Sequence, residues 1–78
     1  MTPVVAYTND PSDNLDNRFT YHSPKGDQTS RYEALRATAR EMAEHICEAC
    51  PKSREKSLAL TKLEEAIFWA NAAIARHE

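Results

Sequence analysis

Tyr21 and His22 stand directly before the turn Ser23-Pro24-Lys25-Gly26-Asp27, and Arg36, Arg40 and Arg76 follow in segments that read as helix. A tyrosine ring can stack on a nucleobase, an interaction worth about 1–3 kcal/mol per base in single-strand binders. An arginine fork grips a phosphate through two parallel hydrogen bonds, where a lysine supplies only a point charge. These residue types therefore point toward recognition of a nucleotide anion. A plainer reading competes with it: Tyr21 fastens the loop to the following helix, and the arginines pair with Glu33, Glu41 or Glu44. By spacing alone the plainer reading is the stronger one.

Other chemistry has less to stand on. Cys47 and Cys50 form a Cys-x-x-Cys pair near His45, a spacing found in zinc half-sites and redox pairs. Zinc needs about four ligands, and a redox pair normally follows a strand, so we expect two half-buried thiols at a helix end and no metal. The sequence has no Gly-rich phosphate loop, no His-Glu-x-x-His and no nucleophile elbow. His22, His45 and His77 are scattered. The expectation is a protein that is not an enzyme and uses no cofactor.

The totals narrow the class further. Seventy-eight residues make one small domain, a size at which the core alone is marginal and self-association is a natural remedy. Ten Lys+Arg against twelve Asp+Glu leave no broad positive field for a DNA or RNA polymer or an acidic membrane. No apolar run has the length of a signal peptide or a membrane span, so a soluble, cytoplasmic protein is expected.

Two long helices must position the candidate residues. The first should start near Asp27–Ser30, with Ser30 and Glu33 as a capping box and Asp27 as a cap one turn earlier. Its apolar seam, Tyr32, Leu35, Ala39, Met42, Ile46 and Ala49, is spaced 3, 4, 3, 4, 3. Pro51 then drives Cys50 out of helical geometry. Ser53 caps the second helix, whose seam runs Leu60, Leu63, Ile67, Ala70, Ile74. So short a connection makes the helices antiparallel neighbours. Ahead of them, residues 1–26 form an arm with a short apolar patch, Val4-Val5-Ala6-Tyr7, and a short helix from Ser12 to Arg18 with Ser12 as its cap. An extended segment, Arg18 to His22, leads into the turn. Residues 27–78 are the hairpin domain.

The second helix carries more apolar surface than a hairpin can cover. Ile67, Phe68 and Trp69 spread over more than half its circumference, and Ala59, Ala66 and Ala73 recur at heptad spacing beside the seam. A surface helix of a monomer needs one apolar stripe, so the expected fold is an all-α antiparallel hairpin assembled as a homo-oligomer. Ala34 and Thr38 form a small i, i+4 notch on the first helix, away from its seam.

Arg18-Phe19-x-Tyr21-His22, Asp27-Gln28, Tyr32-x-x-Leu35-Arg36, Ser53-Arg54-Glu55 and the run Trp69 to Arg76 together resemble a phage family. It is the family of anti-CBASS cyclic-oligonucleotide sponges, whose helical hairpin domain is shared with some Thoeris anti-defence sponges. The resemblance covers residues 18–77 and is most specific in Trp-Ala-Asn-Ala-Ala-Ile-Ala-Arg. It implies a compact homohexamer in the cytoplasm of the infected host cell that binds cyclic dinucleotides between protomers and does not cleave them. Tyr21 would stack on the base, and Arg36 and Arg76 would meet phosphate, with His22 and Lys25 beside them. A separate cyclic trinucleotide pocket would map to Ala34 and Thr38. The family often has Gly where Ala34 stands. The rival expectations are a structural or assembly oligomer and a sponge for an ADP-ribose-derived messenger.

Overall fold

A computed structural model of the chain describes residues 10–78. The Val4–Tyr7 patch lies outside them. Among the described residues the elements are a 3-10 turn Pro11–Asp13, then α1 (Leu15–Phe19), α2 (Gln28–Ala49) and α3 (Arg54–His77), with no strand. α2 and α3 pack against each other as the hairpin.

The start of the arm differs from the single Ser12-to-Arg18 helix expected. Asp10, not Ser12, is the cap: the Ser12 amide donates to Asp10 Oδ1 at 2.9 Å. That contact also holds the Asp10 carboxyl below its ordinary pKa. Pro11 opens the turn with a preset φ. Asn14 then adopts left-handed backbone, φ 53 and ψ 50, which splits the segment into a 3-10 turn and a five-residue helix. Asn tolerates that region better than most side chains.

Gly26 supplies the other left-handed residue, φ 58, just before α2. The Gln28 amide donates to the Lys25 carbonyl at 3.0 Å and closes the turn. Asp27 is the N-cap residue by position, but its side chain makes no capping bond and instead accepts from Arg31 Nε at 3.2 Å. Ser30 lies inside the helix, so the Ser30–Glu33 capping box does not form. At the other end Cys50 is extended, φ −114 and ψ 139, as the following proline requires. Ser53 caps α3 as expected, accepting from the Lys56 amide at 3.1 Å.

The α3 seam holds: Leu60, Leu63, Ile67, Ala70 and Ile74 are all half-buried. The α2 seam drifts. Tyr32, Leu35, Ala39 and Ile46 are half-buried, yet Ala43 takes the place expected of Met42, and Met42 and Ala49 are exposed. From Leu35 the half-buried positions step 4, 4, 3 where the template steps 4, 3, 4, so Ala43 takes the inward place while Ile46 keeps its own. Cys47, next to Ile46, is turned outward. Cys47 and Cys50 are both exposed free thiols, not the half-buried pair expected.

No hydrophobic side chain among the described residues is fully buried. Phe68 and Trp69 remain 64% and 63% exposed. Full burial of a large apolar side chain stabilises by about 1.5–3 kcal/mol, so half-buried seams leave a lone hairpin short of a core. Domains are stable as packed layers, and this one offers a single layer.

Gln28, only 3% exposed, is the one buried residue described. Its Oε1 accepts from the Lys25 amide at 3.0 Å, and its Nε2 donates to the Ile74 carbonyl at 3.4 Å and to Glu78 Oε1 at 3.2 Å. One amide thus ties the turn, the start of α2 and the end of α3 together. Arg31 forks onto Glu78, with Nη1 on Oε2 at 2.7 Å and Nη2 on Oε1. The pair, with Gln28 helping, holds the Glu78 carboxyl down at a pKa of about 2 and raises that of Arg31.

Candidate functional site

Beside this latch the arm lies against the hairpin and encloses a cleft of about 390 Å³. Four elements build it. α1 contributes Arg18, the linker gives Thr20, Tyr21 and His22, α2 gives Tyr32 and Arg36, and α3 gives Asn71, Ala72, Ala75 and Arg76. The α3 residues recur at i, i+1, i+4 and i+5, which places them on one helical stripe. Two of the four are alanine, which leaves room between the arm and the helix.

Hydrogen bonds set the arm in position. His22 Nε2 donates to the Asn17 carbonyl at 2.8 Å, and Asn17 Nδ2 donates to the Arg76 carbonyl at 3.1 Å. The first bond requires the proton on Nε2, because a carbonyl oxygen only accepts. Together they fix α1 and the linker to the last turn of α3. Arg18 Nη1 donates to the Asp13 carbonyl at 3.3 Å, which uses one of the five N–H groups of its fork.

The electrostatics of the cleft are one-sided. Three guanidinium groups line it and no carboxylate does. Among the described residues the ion pairs are Arg31 with Asp27 and Glu78, and Lys62 with Glu65. Arg18, Arg36 and Arg76 enter none of them, nor does Arg40, so the pairing with Glu33, Glu41 and Glu44 considered from sequence is not what the structure holds. Tyr21 is 80% exposed and does not fasten the loop to the helix. Asn71 adds a buried Oδ1 with no hydrogen-bond partner.

Of the residues selected from sequence, Tyr21, His22, Arg36 and Arg76 line this one cleft. His22 does so while acting as a strut. Lys25 is not among them: its ammonium donates to the Glu78 backbone oxygen at 2.9 Å, on the latch side of the turn. Ala34 and Thr38 lie in a separate, largely apolar groove of about 380 Å³ with Arg31, Leu35 and Ile74. Arg36 and the Ala34–Thr38 pair are half a turn apart, so the two grooves open on opposite faces of α2.

Sequence reasoning missed Arg18, Tyr32 and Asn71 as cleft residues. Tyr32 was assigned to the seam, which it also serves. Asn71 and Arg76 share a stripe with Ala72 and Ala75, a polar and small-residue pattern that periodicity in the last helix could have exposed. Arg18 had no such signal, since the fold of the arm decides where it lies.

A third groove, about 380 Å³, continues along the same face between Arg36, Arg40, Leu60 and Glu64. Here a carboxylate is present, so it lacks the uniform charge of the cleft.

No curated protein and no solved structure matches the chain. Residues 11–75 match the family described as Acb2/Tad1, hairpin domain. That span takes in α1, α2 and nearly all of α3, and with them nine of the ten residues lining the cleft. The chain belongs to the Acb2/Tad1 hairpin-domain family, the phage anti-CBASS and anti-Thoeris sponges.

Proposed function

We propose that the protein binds and withholds cyclic oligonucleotide second messengers without cleaving them, and so blocks bacterial CBASS signalling in the cytoplasm of the infected cell. The observation that carries this reading is the cleft itself: three guanidiniums with no carboxylate, flanked by Tyr21 and Tyr32, on a chain whose net charge is −2. Like charges gathered without counter-ions repel, and a phosphate-bearing ligand relieves that repulsion. Exposed Tyr21 supplies a face for a base. A local anion site of this kind suits a small charged nucleotide and gives no extended track for a polymer.

The working unit in this proposal is a homo-oligomer, a hexamer by family resemblance. Phe68 and Trp69 supply the apolar surface for it. A cyclic dinucleotide has two phosphates and near two-fold symmetry, so a two-fold interface presents each half with the same tyrosine and arginines. The groove at Ala34 and Thr38 is assigned to a cyclic trinucleotide. The family also includes anti-Thoeris members, which keeps an ADP-ribose-derived messenger as the second reading. A purely structural oligomer would leave the unpaired arginines without a role.

The test is calorimetric titration with 3′,3′-cyclic GMP-AMP, then denaturation and recovery of the nucleotide. Tight binding with the nucleotide recovered intact supports a sponge. Altered nucleotide indicates an enzyme, and no heat with any cyclic nucleotide favours the assembly reading. Heat only with an ADP-ribose-derived ring favours the second messenger class.

A further inference from the structure

We infer that Arg18, carried by α1 outside the two long helices, is a phosphate-contacting residue of the cleft, so that the arm completes an anion site the hairpin alone leaves unfinished. The inference rests on the cyclic-nucleotide reading and deepens it.

Four observations lead here. Arg18 lines the same cleft as Arg36 and Arg76, and no acidic residue lines that cleft. Among the described residues it has no carboxylate partner, although Asp13 and Asp16 stand five and two residues before it in sequence. Its only described hydrogen bond goes to a neutral backbone oxygen, Asp13 O at 3.3 Å, which orients the side chain without neutralising it. The neighbouring residue, Asn17, is anchored at both its groups: the carbonyl accepts from His22 and the amide donates to the Arg76 carbonyl. The backbone of Arg18 is therefore set relative to Arg76 before any ligand arrives. A side chain whose backbone is set and whose Nη1 is already tethered, with most of its donors free, loses less freedom on binding than an untethered one.

The consequence concerns ligand charge. A phosphodiester carries one negative charge, and a bidentate fork satisfies two of its oxygens. The hairpin supplies two guanidiniums, one from α2 and one from α3. A third makes the cleft sensitive to the total charge of the ligand and to ionic strength. Asn17 acts as a positioning residue for Arg18, and His22 supports Asn17.

The experiment is calorimetric titration of the full chain with 3′,3′-cyclic GMP-AMP over a series of sodium chloride concentrations. Wild type is compared with Arg18→Gln, Arg18→Lys and, as a distant control, Arg54→Ala. Gln removes the charge and keeps a side-chain N–H, and loss of a neutral hydrogen bond would not change the salt dependence, so that readout separates a charge role from a merely structural one. The inference expects R18Q to bind at least fivefold more weakly with a shallower salt dependence. R18K should fall between R18Q and wild type, and R54A should match wild type. R18Q binding with wild-type affinity and salt dependence overturns the inference while leaving the sponge reading intact. Failure of wild type to bind any cyclic nucleotide overturns both.

Discussion

Two clusters of arginine chemistry sit at the same end of this hairpin, and they are built in opposite ways. In the latch, Arg31 is engaged by Asp27 and Glu78, and Gln28 satisfies the turn and the end of α3 at once. In the cleft next to it, Arg18, Arg36 and Arg76 meet no carboxylate among the described residues. The latch spends its charges on holding the chain together. The cleft leaves its charges without counter-ions among the described residues. The contrast teaches that the residue type alone does not distinguish a structural arginine from a binding one; the partner does.

The sharpest break of this comparison is charge reversal in the cleft. Arg36→Glu should weaken cyclic GMP-AMP binding at least a hundredfold by calorimetry. Its thermal stability should move little, because an exposed, unpaired side chain contributes within about 0.5 kcal/mol. Tyr21→Ala comes next: loss of about 1–3 kcal/mol of stacking predicts about 5- to 150-fold weaker binding with the oligomer intact. An unchanged affinity in either variant would remove that residue from the site.

The latch should answer in the reverse sense. Gln28→Ala removes the side-chain partner of the part-buried Ile74 carbonyl and Lys25 amide, at a cost of about 1–3 kcal/mol. Denaturant unfolding should show that loss, while binding weakens less than tenfold and only because the linker bearing Tyr21 loosens. A large binding defect without a stability loss would mean Gln28 touches the ligand.

Glu78 gives the smallest effect and a signed one. Its folded pKa of about 2 lies below the ordinary value of 4.5. The stabilisation it supplies is therefore complete above about pH 4.5 and is lost as the pH falls toward 2. The pair is solvent-accessible, with side chains 39% and 41% exposed, so the loss is modest. Glu78→Gln should lower stability slightly above about pH 4.5 and flatten its dependence on pH between about 4.5 and 2. An identical acid profile in the variant would show that the latch carries no linked proton.

The sequence made some of this architecture readable and hid the rest for physical reasons. Ser53, Pro51 and the α3 seam are local signals, set by caps, ring geometry and period, and the structure keeps them. Met42 misled because steps of 4, 4, 3 carry the contact line from Leu35 to Ile46 as well as steps of 4, 3, 4 do, and spacing alone does not choose between Ala43 and Met42. Ser30 was a good cap by type, but the turn at Gly26 starts the helix earlier and leaves it inside. Lys25, adjacent to the site in sequence, faces Glu78 instead. Arg18 and the Arg31–Glu78 pair depend on tertiary contacts between residues dozens of positions apart, such as Asn17 with Arg76, and no local pattern encodes those.

The central claim is that copies of this coreless hairpin assemble and, so assembled, hold a cyclic nucleotide. Sedimentation velocity at micromolar protein with 3′,3′-cyclic GMP-AMP, followed at 260 and 280 nm, tests both halves in one run. The account predicts a single boundary well above the mass of one chain, with ligand absorbance travelling in it. A boundary at the single-chain mass, with the nucleotide left behind, would contradict it.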